Sequence, residues 1–220
     1  MTAPVIELAG ERIALLSERA LHWEGARAVI AADVHWGKAA TFRSAGIPIP
    51  AGTTSAGLAR LDRALARTGA HRLFVLGDLL HARAWRAAGT VRAIADWREG
   101  HPELEIMLIR GNHDRRAGDP PAALEIAVVE GPWRAGPFIL RHEPEPDPAG
   151  YVLAGHLHPG MSLRGPARAR VRLPCFAFGA EVGILPAFGE FTGLELIEPR
   201  RSDRVYVVAG DDVIPVPPVG

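Results

Sequence analysis

Apolar residues come in short runs along the first 114 positions, each closed by polar residues, with helically spaced segments between them. "VIEL", "RIALL" and "RAVIAAD" (27–33) read as strands. A Gly/Pro-rich stretch over roughly 43–53 reads as a loop. "TTSAGLARLDRALART" (53–68) opens on a threonine cap and sets Leu58, Leu61 and Leu65 on one face, which predicts a helix. "RLFVLGD" (72–78) reads as a buried strand, "RAWRAAGTVRAIADWREG" (83–100) as a helix, and "LEIMLIRGNHD" (104–114) as a strand with a polar end. After residue 124 the pattern changes. "LEIAVVEG", "PFILRHEP", "YVLAGHLHP", "RARVRLPCFAF", "TGLELIE" and "RVYVVAG" are short β-type runs punctuated by Gly and Pro. An α/β half followed by a mostly β half predicts a layered α/β sandwich with two sheets, the second largely antiparallel. The final "DDVIPVPPVG" reads as a frayed or lightly docked tail.

Composition narrows this without changing it. At 220 residues, 48% hydrophobic and 23% charged, the chain fits one domain over 1–220 with a substantial core. The single Cys175 excludes an internal disulfide and suits a reducing, cytoplasmic setting. The first residues have no basic segment leading into a long apolar one, so no signal peptide is expected. No run approaches the ~20 apolar residues of a membrane span. A net charge of zero argues against coating nucleic acid through bulk charge, while leaving room for a local groove.

Candidate chemistry lies where the apolar runs stop, at "DVH" (33–35), "GD" (77–78), "GNHD" (111–114), "RHE" (141–143) and "GHLH" (155–158). Ligands of open α/β sheets bind beyond the carboxyl ends of strands. Asp33 and His35 stand two apart, as do His156 and His158, so each pair shares a face if the strand continues. Of nine histidines, five (His35, His113, His142, His156 and His158) fall in these motifs. Any one could be an ordinary structural histidine. Together with the acids they form a cluster that costs several kcal/mol to bury unless cations neutralise it, and a pair of divalent metals does so. Imidazole, carboxylate and one amide oxygen, without thiolate, favour Mn, Fe, Co, Ni or Zn over Ca.

These five motifs, in this order, resemble the calcineurin-like metallophosphoesterase superfamily, whose pattern is D-x-H, G-D, G-N-H-[DE], a lone His and G-H-x-H. The resemblance implies a four-layer α/β/β/α sandwich with two mixed sheets and a two-metal site. It assigns Asp33, His35 and His158 to one metal, Asn112, His142 and His156 to the other, and Asp78 to both. A metal-held hydroxide would attack phosphorus in line. His113 would meet the phosphate oxygens and help the leaving alkoxide depart. Asp114 would orient the His113 ring and favour its protonated form, or else cap a helix.

A closer resemblance joins "DVHWGKAATFRSAGIPIP" (33–50), "LGDLLHAR" (76–83), "RGNHD" and "RHEP" to the small bacterial ligase-associated DNA damage response endonucleases, the PdeM family. It implies two divalent ions, first of all Mn2+, and phosphodiester hydrolysis on single-stranded or nicked DNA. It also implies a DNA-repair setting beside a ligase and a helicase. Lys38, the one lysine among 25 basic residues, and Arg43 would stand beside the metals where a phosphodiester passes. Trp36 would pack the loop or stack on a base, and His81 and Arg83 would line the same cleft. The residues alone stop at two metals and phosphoester hydrolysis. They leave open a phosphatase or nucleotide phosphodiesterase acting on small-molecule or protein phosphoesters. A non-enzymatic scaffold is disfavoured because every ligand position is filled.

Overall fold

A computed structural model describes residues 3–44, 46, 53–164, 170–190 and 192–217. The first sheet has seven strands in chain order: β1 (Val5–Leu8), β2 (Glu11–Leu16), β3 (Ala20–Trp23), β4 (Ala28–Ala31), β5 (Arg72–Leu76), β6 (Glu105–Ile109) and β7 (Ile126–Val129). The strands β1 to β4 pair antiparallel, and β4 to β7 pair parallel. Between the parallel strands run α1 (Lys38–Ser44), α2 (Thr53–Thr68), α3 (Ala88–Glu99) and α4 (Asn112–Ala117).

The second sheet is built from β8 (Trp133–Ala135), β9 (Phe138–Leu140), β10 (Tyr151–Ala154), β11 (Pro159–Arg164), β12 (Arg170–Phe178), β13 (Val182–Ile184), β14 (Glu195–Leu196), β15 (Arg204–Ala209) and β16 (Asp212–Val216). It is mixed. β10 runs parallel to both β9 and β13, while β12 pairs antiparallel with β11, β13 and β15.

Strand periodicity sorts the core into layers. Ala14, Leu16, Val29, Ala31, Leu73, Val75, Ile106 and Leu108 face outward onto Leu58, Leu61 and Leu65 of α2 and Ile94 and Trp97 of α3. Their neighbours in sequence, Ile13, Leu15, Ile30, Leu76 and Ile109, face inward onto Phe138, Leu140, Leu153, Phe176 and Phe178 of the second sheet. The described residues thus build helices, seven-stranded sheet and nine-stranded sheet, and the apolar clusters on the far side of the second sheet contain no helical residue among those described.

Four local expectations change. β3 emerges from a stretch assigned to no element, because "ALHW" is bracketed by turns too closely to show a period. α1 (Lys38–Ser44) runs into the loop expected from 43. The helix expected over 83–100 divides into a 3₁₀ turn at Arg83–Arg86 and α3. Within the expected tail, Asp212–Val216 form β16, paired with β15 from Ala209↔Asp212 to Val205↔Val216.

Candidate metal centre

All the chemistry-bearing motifs gather at one end of the two sheets. Asp33 follows β4, Asp78 follows β5 and Asn112 follows β6. From the second sheet, His142 follows β9, and His156 and His158 follow β10. Parallel strands end together, so their carboxyl-terminal residues converge on one seam.

The strands do not continue through the motifs. Asp33 (φ 55°), His35 (52°), Asp78 (53°), His156 (71°) and His158 (50°) all occupy the left-handed region, unusual for residues other than glycine. Each costs on the order of 1–3 kcal/mol and persists only where its surroundings hold it. The neighbouring Gly77 (φ 75°) lies so close to the His142 ring that a Cβ there would overlap the imidazole.

Backbone hydrogen bonds fix the side chains. The Asp33 Oδ2 accepts the His156 N–H at 2.9 Å, and the Asp78 Oδ1 accepts the His113 N–H at 2.9 Å. His142 Nδ1 lies 3.0 Å from the Leu76 carbonyl, which can only accept, so the ring proton sits on Nδ1 and Nε2 carries the lone pair. That Nε2 faces Asn112 Oδ1 at 2.9 Å, His156 Nδ1 at 3.0 Å and Asp78 Oδ1 at 3.5 Å. An imidazole lone pair against a carbonyl oxygen and a carboxylate is acceptor against acceptor, and a cation bound there would reconcile them.

The other half behaves alike. Asp33 Oδ1 and His35 Nε2 are buried without a hydrogen-bond partner. His158 Nε2 stands 3.4 Å from Asp33 Oδ1, and His35 Nε2 stands 3.9 Å from Asp78 Oδ2. Two neighbouring donors ligating one ion at about 2.1 Å stand roughly 3.0–3.5 Å apart, so the His158–Asp33 separation, long for a hydrogen bond, suits two ligands of one ion, and the His35–Asp78 separation is a little wider. Candidate ligand atoms of Asp33, His35 and His158 lie within 4.8 Å of one another, as do those of Asp33, Asp78 and His142 and those of His35, His81 and His113. The donor set therefore fits divalent metal. Burial is the main cause pushing the Asp78 carboxyl up and the His35 ring down, both toward neutrality, and bound cations would oppose the first.

The remaining candidates separate. His113 is at the mouth, its side chain 32% exposed and its Nε2 3.8 Å from Asp78 Oδ2. Burial lowers its pKa, Asp78 raises it and Lys38 lowers it. His81 stacks on His113 with centroids 4.9 Å apart, and its Nδ1 lies 3.2 Å from His35 Nδ1. Burial, with Lys38 and His113, brings its pKa down to about 4, so the ring is neutral at ordinary pH. Lys38 is half-buried. Burial pushes its ammonium below the ordinary value, while the Asp33 and Asp78 carboxylates hold it up. Arg43 and Arg83 begin and end within described backbone, but their side chains lie outside the described residues, as does the 47–52 part of the expected substrate loop.

Two expectations are corrected. Trp36 is 2% exposed and packs edge-on to Trp97 at 6.1 Å, so its ring offers no face to a base. Asp114 takes the other role expected of it, a cap at the start of α4, rather than a bond to the His113 ring. Its oxygens accept backbone N–H groups of Asp78 (2.8 Å), Leu80 (2.9 Å) and Gly111 (2.9 Å), binding the end of β5 to that helix. Burial raises its pKa against those three donors.

The chain is 48% identical to Pseudomonas putida nuclease MPE in its crystal structure, over 97% of this chain and 100% of that one, with a TM-score of 0.87. The chain belongs to the metallophosphoesterase family of that nuclease. It is accordingly an enzyme of the metal-dependent phosphoesterase class. The phosphoesterase Yfce from E. coli is 17% identical over 87% of this chain and 99% of that one, with a TM-score of 0.39. No protein-family model matches the chain, and neither does any curated protein.

Proposed function

We propose that this enzyme is a two-metal DNA endonuclease, with Mn2+ its foremost metal, serving DNA repair. The observation that carries the reading is the convergence on the seam between the sheets of the buried, unpartnered Asp33 Oδ1 and His35 Nε2 with His142 Nε2, which faces Asn112 Oδ1. The likeness to a nuclease supports nucleic acid as the substrate. Asp33, His35 and His158 would hold one ion and Asn112, His142 and His156 the other, with Asp78 facing both groups. When bound, the ions supply Lewis acidity at the phosphoryl oxygens and a water acidic enough to ionise near neutral pH.

The chain's own groups do the rest. The left-handed turns at Asp33 and Asp78 aim both carboxylates into the seam. His113, at the mouth, carries a proton to the departing oxygen. The Lys38 ammonium, attracted by Asp33 and Asp78, meets the phosphate. That cation stands in the first turn of α1, which carries no acidic residue of its own and where the helix dipole disfavours it, so its counter-charges are Asp33 and Asp78 of the seam. A cation held beside the candidate ligands rather than by its own helix supports a role in binding. A ligase and a helicase of the same repair setting are the partners the family resemblance implies, with single-stranded or nicked DNA as the form cut.

The test is to strip the protein of metal, add Mn2+, and offer circular single-stranded DNA and supercoiled plasmid, with Asp78→Asn as control. Circles have no ends, so Mn2+-dependent cutting that vanishes in the variant is endonuclease chemistry at this site. Intact circles, with a chromogenic monoester turned over far faster than a diester, would replace the proposal with a phosphatase.

A further inference from the structure

We infer that Arg60 is a positioning residue for the metal centre, acting through the backbone of Phe188–Glu190 on Asp33. The inference rests on the metal reading above. Where β13 leaves the second sheet, the chain crosses to the first. Leu185 N–H bonds Ala154 O at 2.8 Å, Ala187 bridges Ala32 in parallel, Phe188 N–H bonds Ala32 O at 2.8 Å and Gly189 N–H bonds Asp33 O at 2.9 Å. The last two bonds brace the peptide on which Asp33 holds its left-handed conformation. The approach is tight, since a Cβ on Gly189 would come within 2.6 Å of the Val34 carbonyl oxygen.

From the other side this segment is gripped by α2. One Arg60 nitrogen donates to Phe188 O at 2.5 Å, another to the Glu190 carboxylate at 2.7 Å, and the guanidinium lies 5.5 Å from the centroid of the Phe188 ring. The Arg60 side chain is only 13% exposed, so the pair is partly shielded from water. Arg19 adds a longer bond to Gly189 O at 3.4 Å, and Thr192 Oγ1 donates to the same oxygen at 3.3 Å. The guanidinium fork is suited to this task because it holds a carbonyl and a carboxylate at once from one rigid plane, which an ammonium cannot.

The consequence runs in one direction. Arg60 fixes Phe188–Glu190, that segment fixes the Asp33 peptide, and the peptide aims the unpartnered Oδ1 into the seam. Gly189 and Glu190 also wall the crevice that holds His35 and Lys38 between the starts of α1 and α2. The second ligand group has supports of its own, Leu76 O behind His142 and the 111–114 loop, and meets Asp33 through the His156 N–H. Loss of the clamp should therefore weaken one metal step more than the other. Residues that support ligands from behind typically account for about 10–100-fold in metal affinity.

The experiment is calorimetric titration of metal-free protein with Mn2+, wild type beside Arg60→Met and Arg60→Lys, with thermal melts of each metal-free form. The expected result is one binding step weakened at least tenfold in Arg60→Met and by less in Arg60→Lys, the other affected less in both. A melting temperature that falls while both steps keep wild-type affinity would make Arg60 merely structural and overturn the inference. If Arg60→Met does not fold, Arg60→Lys decides: one selectively weakened step supports the clamp, and a wild-type isotherm overturns it. Wild-type protein that binds no Mn2+ would remove the metal reading and this inference together. Wild-type protein that binds two Mn2+ but leaves DNA intact would remove only the nuclease reading, and the variants would still test the clamp.

Discussion

His113 and Asp114 are adjacent, yet the structure gives them opposite work. His113 is at the mouth, its Nε2 3.8 Å from Asp78 Oδ2. Replacing it with alanine should leave metal content unchanged and lower turnover of a diester with a poor leaving group by about 10²–10⁴-fold, the range for a lost general acid. Metal analysis beside kinetics checks this, and loss of metal would make His113 a ligand. Asp114→Asn should act on stability instead. An amide keeps one acceptor but turns an N–H toward one of three backbone donors, at a cost of about 2–3 kcal/mol. At roughly 2–4 °C per kcal/mol for a chain of this size, the melting temperature should fall by about 5–10 °C. The pH profile of the folded fraction should not move. A shifted profile would restore Asp114 as the group that steers His113.

At the scale of elements, the sequence showed which side chains gather and hid what supports them. The convergence of Asp33, Asp78, His142 and His158 was legible because each follows an apolar run, and strand ends are where side chains converge. Their left-handed backbone was not, because neither aspartate nor histidine advertises positive φ as glycine does. Arg60 was invisible for another reason. Its partners are a backbone carbonyl 128 positions away and a carboxylate 130 away, and a carbonyl has no letter in the sequence. β16 was misjudged because its prolines suggested a tail. Pro215 stands opposite Tyr206 at the edge of the sheet, where a missing N–H removes no bond from a further strand. Truncation after Gly210 should therefore bare the β15 edge, with Val205 and Val207 behind it. Lower solubility and an earlier melt are expected. A truncated protein as stable and soluble as the full chain would show that β16 is docked without consequence.

At the scale of the whole molecule, the candidate metal centre lies between the two sheets. Its side chains come from the ends of β4, β5 and β6 on one side and of β9 and β10 on the other, and each proposed ligand group draws on both, so ions bound there would tie the layers together. Metal that binds only the folded chain must stabilise it by mass action, about 2.7 kcal/mol for one site at a hundred times its dissociation constant. For a chain of this size that is roughly 5–10 °C of melting temperature, and a second ion adds to it. Mn2+ should raise the melting temperature, a chelator should return it, and Asp78→Asn should blunt the response most because Asp78 faces both ligand groups. Cys175 offers an independent measure, since it is fully buried and burial pushes its thiol up to about 12. A thiol reagent at pH 8 should label it only as fast as the chain opens, and more slowly with Mn2+ than with chelator. Equal melting and equal labelling in Mn2+ and in chelator would mean that the seam holds no metal tightly, and the two-metal reading would fall with them.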